Sequence, residues 1–207
     1  MMPAVVFEDE WLLIVDKPAG LLVIPTPKQE IHTLTNILNQ ELKKENRSYR
    51  AHPCHRIDRD TSGLIIYAKG KSTQKKMMDK FKNREIKKTY IAFVRGTLPK
   101  DHGEIRNAIE GRSALTRYKV IERRKGFSVV EVAPLTGRKN QIRLHFKLIG
   151  SPILGETRFA FRRDFKIKAK RLCLHAKTLE FMHPITGQKV RVALGLPDKL
   201  KEFIKHN

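Results

Sequence analysis

Cysteine is scarce: Cys54 and Cys173 are the only two in 207 residues. Thiols so far apart make no disulfide framework, and the chain suits a reducing compartment. Long apolar runs are missing too. The longest early one, Trp11 to Val15, falls far short of the ~20 residues that span a bilayer, so no membrane partner is expected. The opening MMPAVVFEDEW has acids where a signal or transit peptide carries bases, and a cytoplasmic protein is expected. Neither GxxxxGK[ST] nor GxGxxG occurs, which leaves nucleotide cofactors without support. His52, Cys54, His55, Cys173 and His175 lack CxxC or HxxxH spacing, and no metal is expected. Without a GxSxG elbow, a Ser-His-Asp triad built on Ser62 is weaker still. Acid is short throughout, with 21 Asp and Glu against 43 Lys and Arg and a net charge of +22. So much like charge repels itself in a compact chain, and a polyanionic partner is its economical explanation.

What is present is an ordinary core. Hydrophobic residues make up 40% of the chain, enough for one large domain or two small lobes. β-Branched and aromatic runs predict strands at 5–7 and 11–15, parted by the acidic turn 8–10, and again at 21–24 after the turn Lys17-Pro18-Ala19-Gly20. Leu34, Ile37, Leu38 and Leu42 predict a helix over 33–45 with Thr33 as its cap. A second helix is expected over 72–83, with Met77, Met78 and Phe81 as apolar contacts. Strands follow at 89–95, 104–109, 115–123 and 127–132, then a helix from near Asn140 to Gly150 with Ile142, Phe146 and Ile149 on its stripe. Strand-like runs at 172–176, 178–182 and 189–194 and a helix after Pro197 close the chain. The class is α+β, with a mixed, largely antiparallel sheet. Two lobes around a cleft are expected, joined near Gly96 to Asp101, and a monomer suffices.

Charge is clustered. From Lys69 to Lys88 the chain carries nine Lys or Arg and two acids. Lys75, Lys76 and Lys80 read as a phosphate-contacting surface. Arg117, Lys119, Arg123, Arg124 and Lys125 make a second basic patch. Residues 158–171 interleave Arg158, Arg162, Arg163 and four more bases with Phe159, Phe161 and Phe165. Such a loop suits backbone contact with base stacking, or rings that anchor it to the core.

The densest polar stretch is His55 to Gly63, HRIDRDTSG, directly before the apolar run 64–68. Polar groups this dense are costly to bury unpaired, so a strand entrance facing a cleft is expected, or a turn whose Asp and Arg pair. Asp58 would repel phosphates unless it were needed. Ionised beside an arginine, a carboxylate serves as nucleophile or base at a sugar carbon, or stabilises positive charge as a glycosidic bond breaks. Arg143 falls in the first turn of the 140–150 helix, where positive charge is unfavourable. A nearby anion must justify it, either a phosphate or an Asp side chain.

These residues carry a resemblance. HRIDRDTSGLIIYAK resembles the HRLDxxTSG motif of the RluA-type pseudouridine synthases. VVFEDEWLLIVDKPAGLLV is similar to that family's opening strand pair and KPxG turn, and KKTYIAFVRG to the strand with its active-site tyrosine. TGRKNQIRLHFKLIGSPILGE resembles the TGRxxQIRxHxxxxGxPIxGD block, and LCLHAKTLEFMHPITGQ the LHAxxLxFxHPxTG segment. The motifs run in order over nearly the whole chain, so 1–207 is expected to be one catalytic domain without an N-terminal RNA-binding module.

The resemblance implies an isomerase without cofactor or metal that turns uridine in tRNA or rRNA into pseudouridine. Asp58 is the implied catalytic aspartate, acting at the ribose by attack at the anomeric carbon or by removing the neighbouring proton. Tyr90 is implied to stack on the target base, and Arg143 to pair with the aspartate. Arg56 matches an arginine that fills the gap left by a flipped-out nucleotide. His55 and Thr61 beside Asp58, and Arg138 and Gln141 beside Arg143, are expected at the RNA. Three departures stand out: Ile57 for leucine, Lys139-Asn140 for Thr-His, and Glu156-Thr157-Arg158-Phe159 for the usual GDxxYG continuation. A basic RNA-binding module and an N-glycosidase are the rival readings.

Overall fold

The computed structural model describes residues 3–160 and 165–207. Phe161, Arg162 and Arg163 of the expected basic loop lie outside the described residues. The chain divides into two compact units, Met1–Lys87 with Thr178–Leu194 and Lys88–Lys177 with Gly195–Asn207. The division falls at Lys87/Lys88, not at the expected joint of 96–101. Gly96 instead belongs inside the second unit: its amide donates to the Gly126 carbonyl at 2.8 Å, and Ser128 Oγ donates to its own carbonyl at 2.8 Å.

The first unit is built on β2 (Leu12–Lys17) and β4 (Ser62–Ala68), antiparallel with Lys17 opposite Gly63. Each carries an unbroken run, Leu12 to Val15 in β2 and Leu64 to Ala68 in β4, in which every residue is 0% exposed. Continuous burial means that each strand is covered on both faces, which alternating polar residues would forbid. β1 (Val5–Glu8) pairs with the outer side of β2, and the short β3 (His52–Pro53) pairs with β4. Helix α1 (Leu34–Lys44) buries Leu34, Leu38 and Leu42, one residue per turn, and Thr33 Oγ1 caps it by accepting from the Asn36 amide at 3.3 Å. Helix α2 (Lys71–Lys82) buries Met77, whereas Met78, expected as a contact, is 51% exposed. The expected strand 21–24 is reduced to a single parallel bridge, Leu22 to Thr33. The Leu21 carbonyl is taken by the Lys17 ammonium at 2.7 Å, and Pro25 ends the run.

The second unit holds β5 (Lys87–Arg95, from its second residue), β6 (His102–Ile105), β7 (Thr116–Arg124) and β8 (Phe127–Pro134). The pairs β5–β8, β7–β8 and β6–β7 are all antiparallel. Helix α3 (Gln141–Leu148) lies against β7 and β8. It buries Arg143, His145 and Gln141 as well as Ile142 and Phe146, while Ile149, placed on its stripe from sequence, is 39% exposed. The stripe was therefore too narrow an expectation. β9 (Leu174–Met182) is one strand where two short runs were expected, and it passes the chain from the second unit to the first. There it pairs with β10 (Lys189–Ala193). Helix α4 (Asp198–His206) closes the second unit on Leu200, with Phe203 stacked on Phe93 at 5.8 Å. Each unit has its own core, one around Leu12, Ile66, Met77 and Phe181, the other around Phe93, Phe127, Val130 and Phe146. Among the described residues no helix is long and apolar enough to cross a membrane.

Candidate active site

Asp58 sits half-buried on the loop between β3 and β4 of the first unit. The Thr61 amide donates to the Asp58 carbonyl at 3.2 Å and closes a tight turn there. The next carbonyl, that of Arg59, is held twice, by the Gly20 amide at 2.9 Å and by Lys17 Nζ at 2.8 Å. Lys17 is 0% exposed and also donates to the carbonyls of Pro18 (2.9 Å) and Leu21 (2.7 Å). A buried ammonium with three carbonyl acceptors is satisfied, and each charge-assisted bond is worth roughly 1.5–3 kcal/mol. Gly20 turns at φ +87°, a left-handed conformation that favours glycine. The Lys-Pro-Ala-Gly turn is thus a clamp on the backbone beside Asp58, 42 residues away in sequence. The sequence marked this turn only as a motif.

The neighbours of Asp58 divide by accessibility. Arg56 is exposed. Thr61 is 2% exposed, and its amide closes the turn. His55 Nε2 accepts from the Ile66 amide at 3.0 Å, and its ring lies 4.5 Å from that of Phe81. That edge of the imidazole therefore serves the fold. On α2, Lys75 and Lys76 are exposed, while Lys80 is paired with Glu85 at 2.9 Å.

Tyr90 and Arg143 belong to the second unit. Tyr90 stands on β5 opposite Val132 and is half-buried. Burial pushes the nearby Lys88 ammonium below its ordinary range. Arg143 is 6% exposed and is held bidentately by Glu156, itself 1% exposed: Nε donates to Oε2 at 2.7 Å and Nη2 to Oε1 at 2.8 Å. Nη1 donates to Asn140 Oδ1 at 3.1 Å. One anion beside this helix start is thus a glutamate 13 residues on. Glu156 Oε1 further accepts from the amides of Arg158 (2.8 Å) and Phe159 (3.3 Å). Burial pushes this carboxyl up, but Arg143 and those amides outweigh it and hold it below the usual carboxylate range. The guanidinium carbons of Arg143 and Arg158 lie 5.0 and 5.3 Å from the Phe159 ring. One carboxylate therefore fixes both the arginine and the start of the basic loop. Its signal in the sequence was the LIGSPILGE block, whose last residue had drawn notice only as part of a departure.

Gln141, expected at the RNA, is a scaffold residue instead. It is 4% exposed; Nε2 donates to the Leu115 carbonyl (3.0 Å) and Thr116 Oγ1 (2.9 Å). Its Oε1 accepts from Thr136 Oγ1 (2.7 Å) and the Arg138 amide (2.9 Å). Both donors and both lone pairs are used, leaving none for a ligand. Arg138 is half-buried, with Nε on the Ser113 carbonyl at 3.1 Å. The β7 patch is also less basic than its composition: Arg117 pairs with Glu104 at 2.7 Å, Arg124 with Glu122 at 2.6 Å, and Arg123 with Asp101. Of the rings in the basic loop, Phe165 is 7% exposed and anchors to the core.

Cys54 and Cys173 are free, and burial pushes both thiols up to about 12. Among the described residues no three His, Cys, Asp or Glu side chains are grouped to hold a metal ion.

Residues 11–148 match the family model of RNA pseudouridylate synthases. An RNA pseudouridine synthase of Bacillus subtilis, YlyB, is 34% identical over 97% of this chain and 71% of its own length. The dual-specificity RNA pseudouridine synthase RluA of Haemophilus influenzae is 34% identical over 89% of each chain. The ribosomal large subunit pseudouridine synthase D of Xanthomonas campestris is 32% identical over 97% of this chain and 68% of its own. Among solved structures, human RNA pseudouridylate synthase domain containing 4 superimposes with a TM-score of 0.83 at 22% identity, over 98% of this chain and 92% of that one. That likeness establishes the fold: a mixed α+β pseudouridine synthase domain. Given the family match and the identity to these relatives, the chain belongs to the RNA pseudouridine synthases, and it is an isomerase.

Proposed function

We propose that the chain converts uridine to pseudouridine in structured tRNA or rRNA, with Asp58, Tyr90 and Arg143 as its catalytic groups. The bond from the ribose to N1 of uracil breaks, the base turns, and a bond to C5 forms. C5 gives up a proton and N1 gains one, so no oxidant, reductant or co-substrate is needed. Asp58 acts at the ribose, Tyr90 stacks on the base, and Arg56 enters the gap that the flipped nucleotide leaves. Flipping costs a few kcal/mol, which contacts between phosphates and exposed lysines such as Lys75 and Lys76 help to offset. Residues 1–207 act as one catalytic domain, as a monomer, in the cytoplasm.

The observation that carries this reading is the Asp58 turn itself. A carboxylate is held half-buried on a backbone clamped by Lys17 and Gly20, within a chain of net charge +22. A pure RNA binder has no use for such a group. The relative named for the large ribosomal subunit supports an rRNA target, and the one named for dual specificity supports more than one target.

Asp58→Asn is expected to abolish pseudouridine formation while RNA affinity stays within a few-fold. Retained activity in that variant sinks the assignment, and release of free uracil by the wild type would make the protein a glycosidase. Pseudouridine mapping of host tRNA and rRNA, with and without the gene, identifies the target.

A further inference from the structure

A cleft of about 670 Å³ opens in the first unit between the outer face of α1 and the loop that follows it. The size lies within the ~300–1,000 Å³ of small-ligand sites, but the chemistry is not that of an apolar pocket. Its lining includes the cations Lys43, Arg47 and Arg50, the carboxamides of Asn36 and Gln40, and the Tyr49 phenol, and no carboxylate. Carboxylates near its rim already have partners. Glu41 is paired with Lys44 at 2.6 Å, Glu45 with Arg47 at 3.3 Å, and Glu8 with Lys69 at 2.7 Å. Tyr49 also donates to Glu8 at 2.9 Å, and burial together with that carboxylate pushes the phenol up to about 12, so it brings no negative charge. Among the described residues Lys43 and Arg50 have no counter-charge. The Gln40 amide, too, makes no hydrogen bond among the described residues.

We propose that this cleft binds the sugar-phosphate backbone of the RNA substrate, at a site separate from the Asp58 loop. Lys43, Arg47 and Arg50 take the phosphates, and Asn36 and Gln40 present amides to the attached nucleotide. A free polyphosphate fits less well. It would concentrate negative charge at the C-terminal end of α1, where the helix dipole is itself negative and no ring of backbone amides faces it. A phosphodiester chain brings one charge per nucleotide, matched to cations spread along a groove.

The inference rests on RNA being the substrate, and its test reads binding apart from catalysis. In Lys43→Gln/Arg50→Gln, the slope of log affinity against log salt for a tRNA or rRNA fragment should fall by about 1.5, since each lost phosphate contact removes ~0.7–0.9. Ser48→Cys carrying a photo-crosslinker should attach to that RNA, with Cys54 and Cys173 too buried to compete for the label. An unchanged slope in a variant with wild-type melting temperature overturns the proposal. So does binding of inorganic phosphate or uridine monophosphate at the cleft without any change in that slope. A wild-type protein that bound RNA yet made no pseudouridine would instead remove the catalytic reading, with the slope still deciding this one.

Discussion

Two regions hold the expected catalytic groups, and they are built differently. The Asp58 turn is fixed through the backbone: a buried lysine and a glycine amide grip the carbonyl of Arg59. Arg143 is fixed through its own side chain, by a bidentate carboxylate with almost no exposure to water. The first design tolerates change in the residues around it so long as the main chain keeps its course. The second stakes stability and chemistry on one ion pair, because a buried charge that loses its partner costs several kcal/mol.

The largest effect expected is at the ion pair. Glu156→Gln keeps the shape but takes from buried Arg143 the carboxylate that holds it bidentately, at a cost of about 3–5 kcal/mol. Urea unfolding should show it as a lower midpoint, with α3 and the start of the basic loop losing amide protection first. Replacing both partners, Arg143→Met with Glu156→Met, should recover most of that stability while pseudouridine formation stays absent. Restored activity in the double variant would reduce Arg143 to a structural residue.

Next comes the clamp. Lys17→Met removes one donor from three carbonyls in a dry site, an expected loss of about 3 kcal/mol. If the clamp acts on the Asp58 turn, hydrogen exchange should rise at Thr61 and Gly20 before it rises at α1. Uniform loosening of the first unit would count against a local role.

The smallest expected effect separates the units by pH. His175, in the second unit, is pushed down from 6.5 to about 4, by burial first and then by Arg171. Its folded pKa lies below its unfolded one, so the unfolded chain takes up the proton first. Stability is full above pH 6.5 and is lost as pH falls toward about 4, by roughly 2–3 kcal/mol. His175→Phe should flatten that slope in a melting series, and an unaltered acid slope would place the sensitive group elsewhere.

Legibility followed the range of each interaction. The Asp58 turn was visible because its parts are adjacent: HRIDRDTSG carries the acid, the turn and the strand entrance within nine residues. α1 was visible from the spacing of Leu34, Leu38 and Leu42 and from Thr33. Lys17 was seen only as a turn residue, since nothing local announces a partner at Arg59. Arg143 reads as a charge in need of an anion, and Glu156 is one that the sequence does not announce, because only the packing of α3 against the chain beyond Gly155 brings it near. Gln141 misled for the same reason, because a motif amide looks alike whether it meets a ligand or closes four internal bonds.

The sequence by itself determined the family and most of the secondary elements, because hydropathy period and ordered motifs are properties of the linear chain. Only the tertiary structure decided which charges are spent inside the protein. Lys17 on carbonyls, Arg143 in part on Glu156 and three of the five bases of the β7 patch on its own acids are held by the fold, while Lys43 and Arg50 pair with no acid among the described residues. Pairing between side chains depends on distance in space, and burial sets its strength; neither is written in the order of the residues.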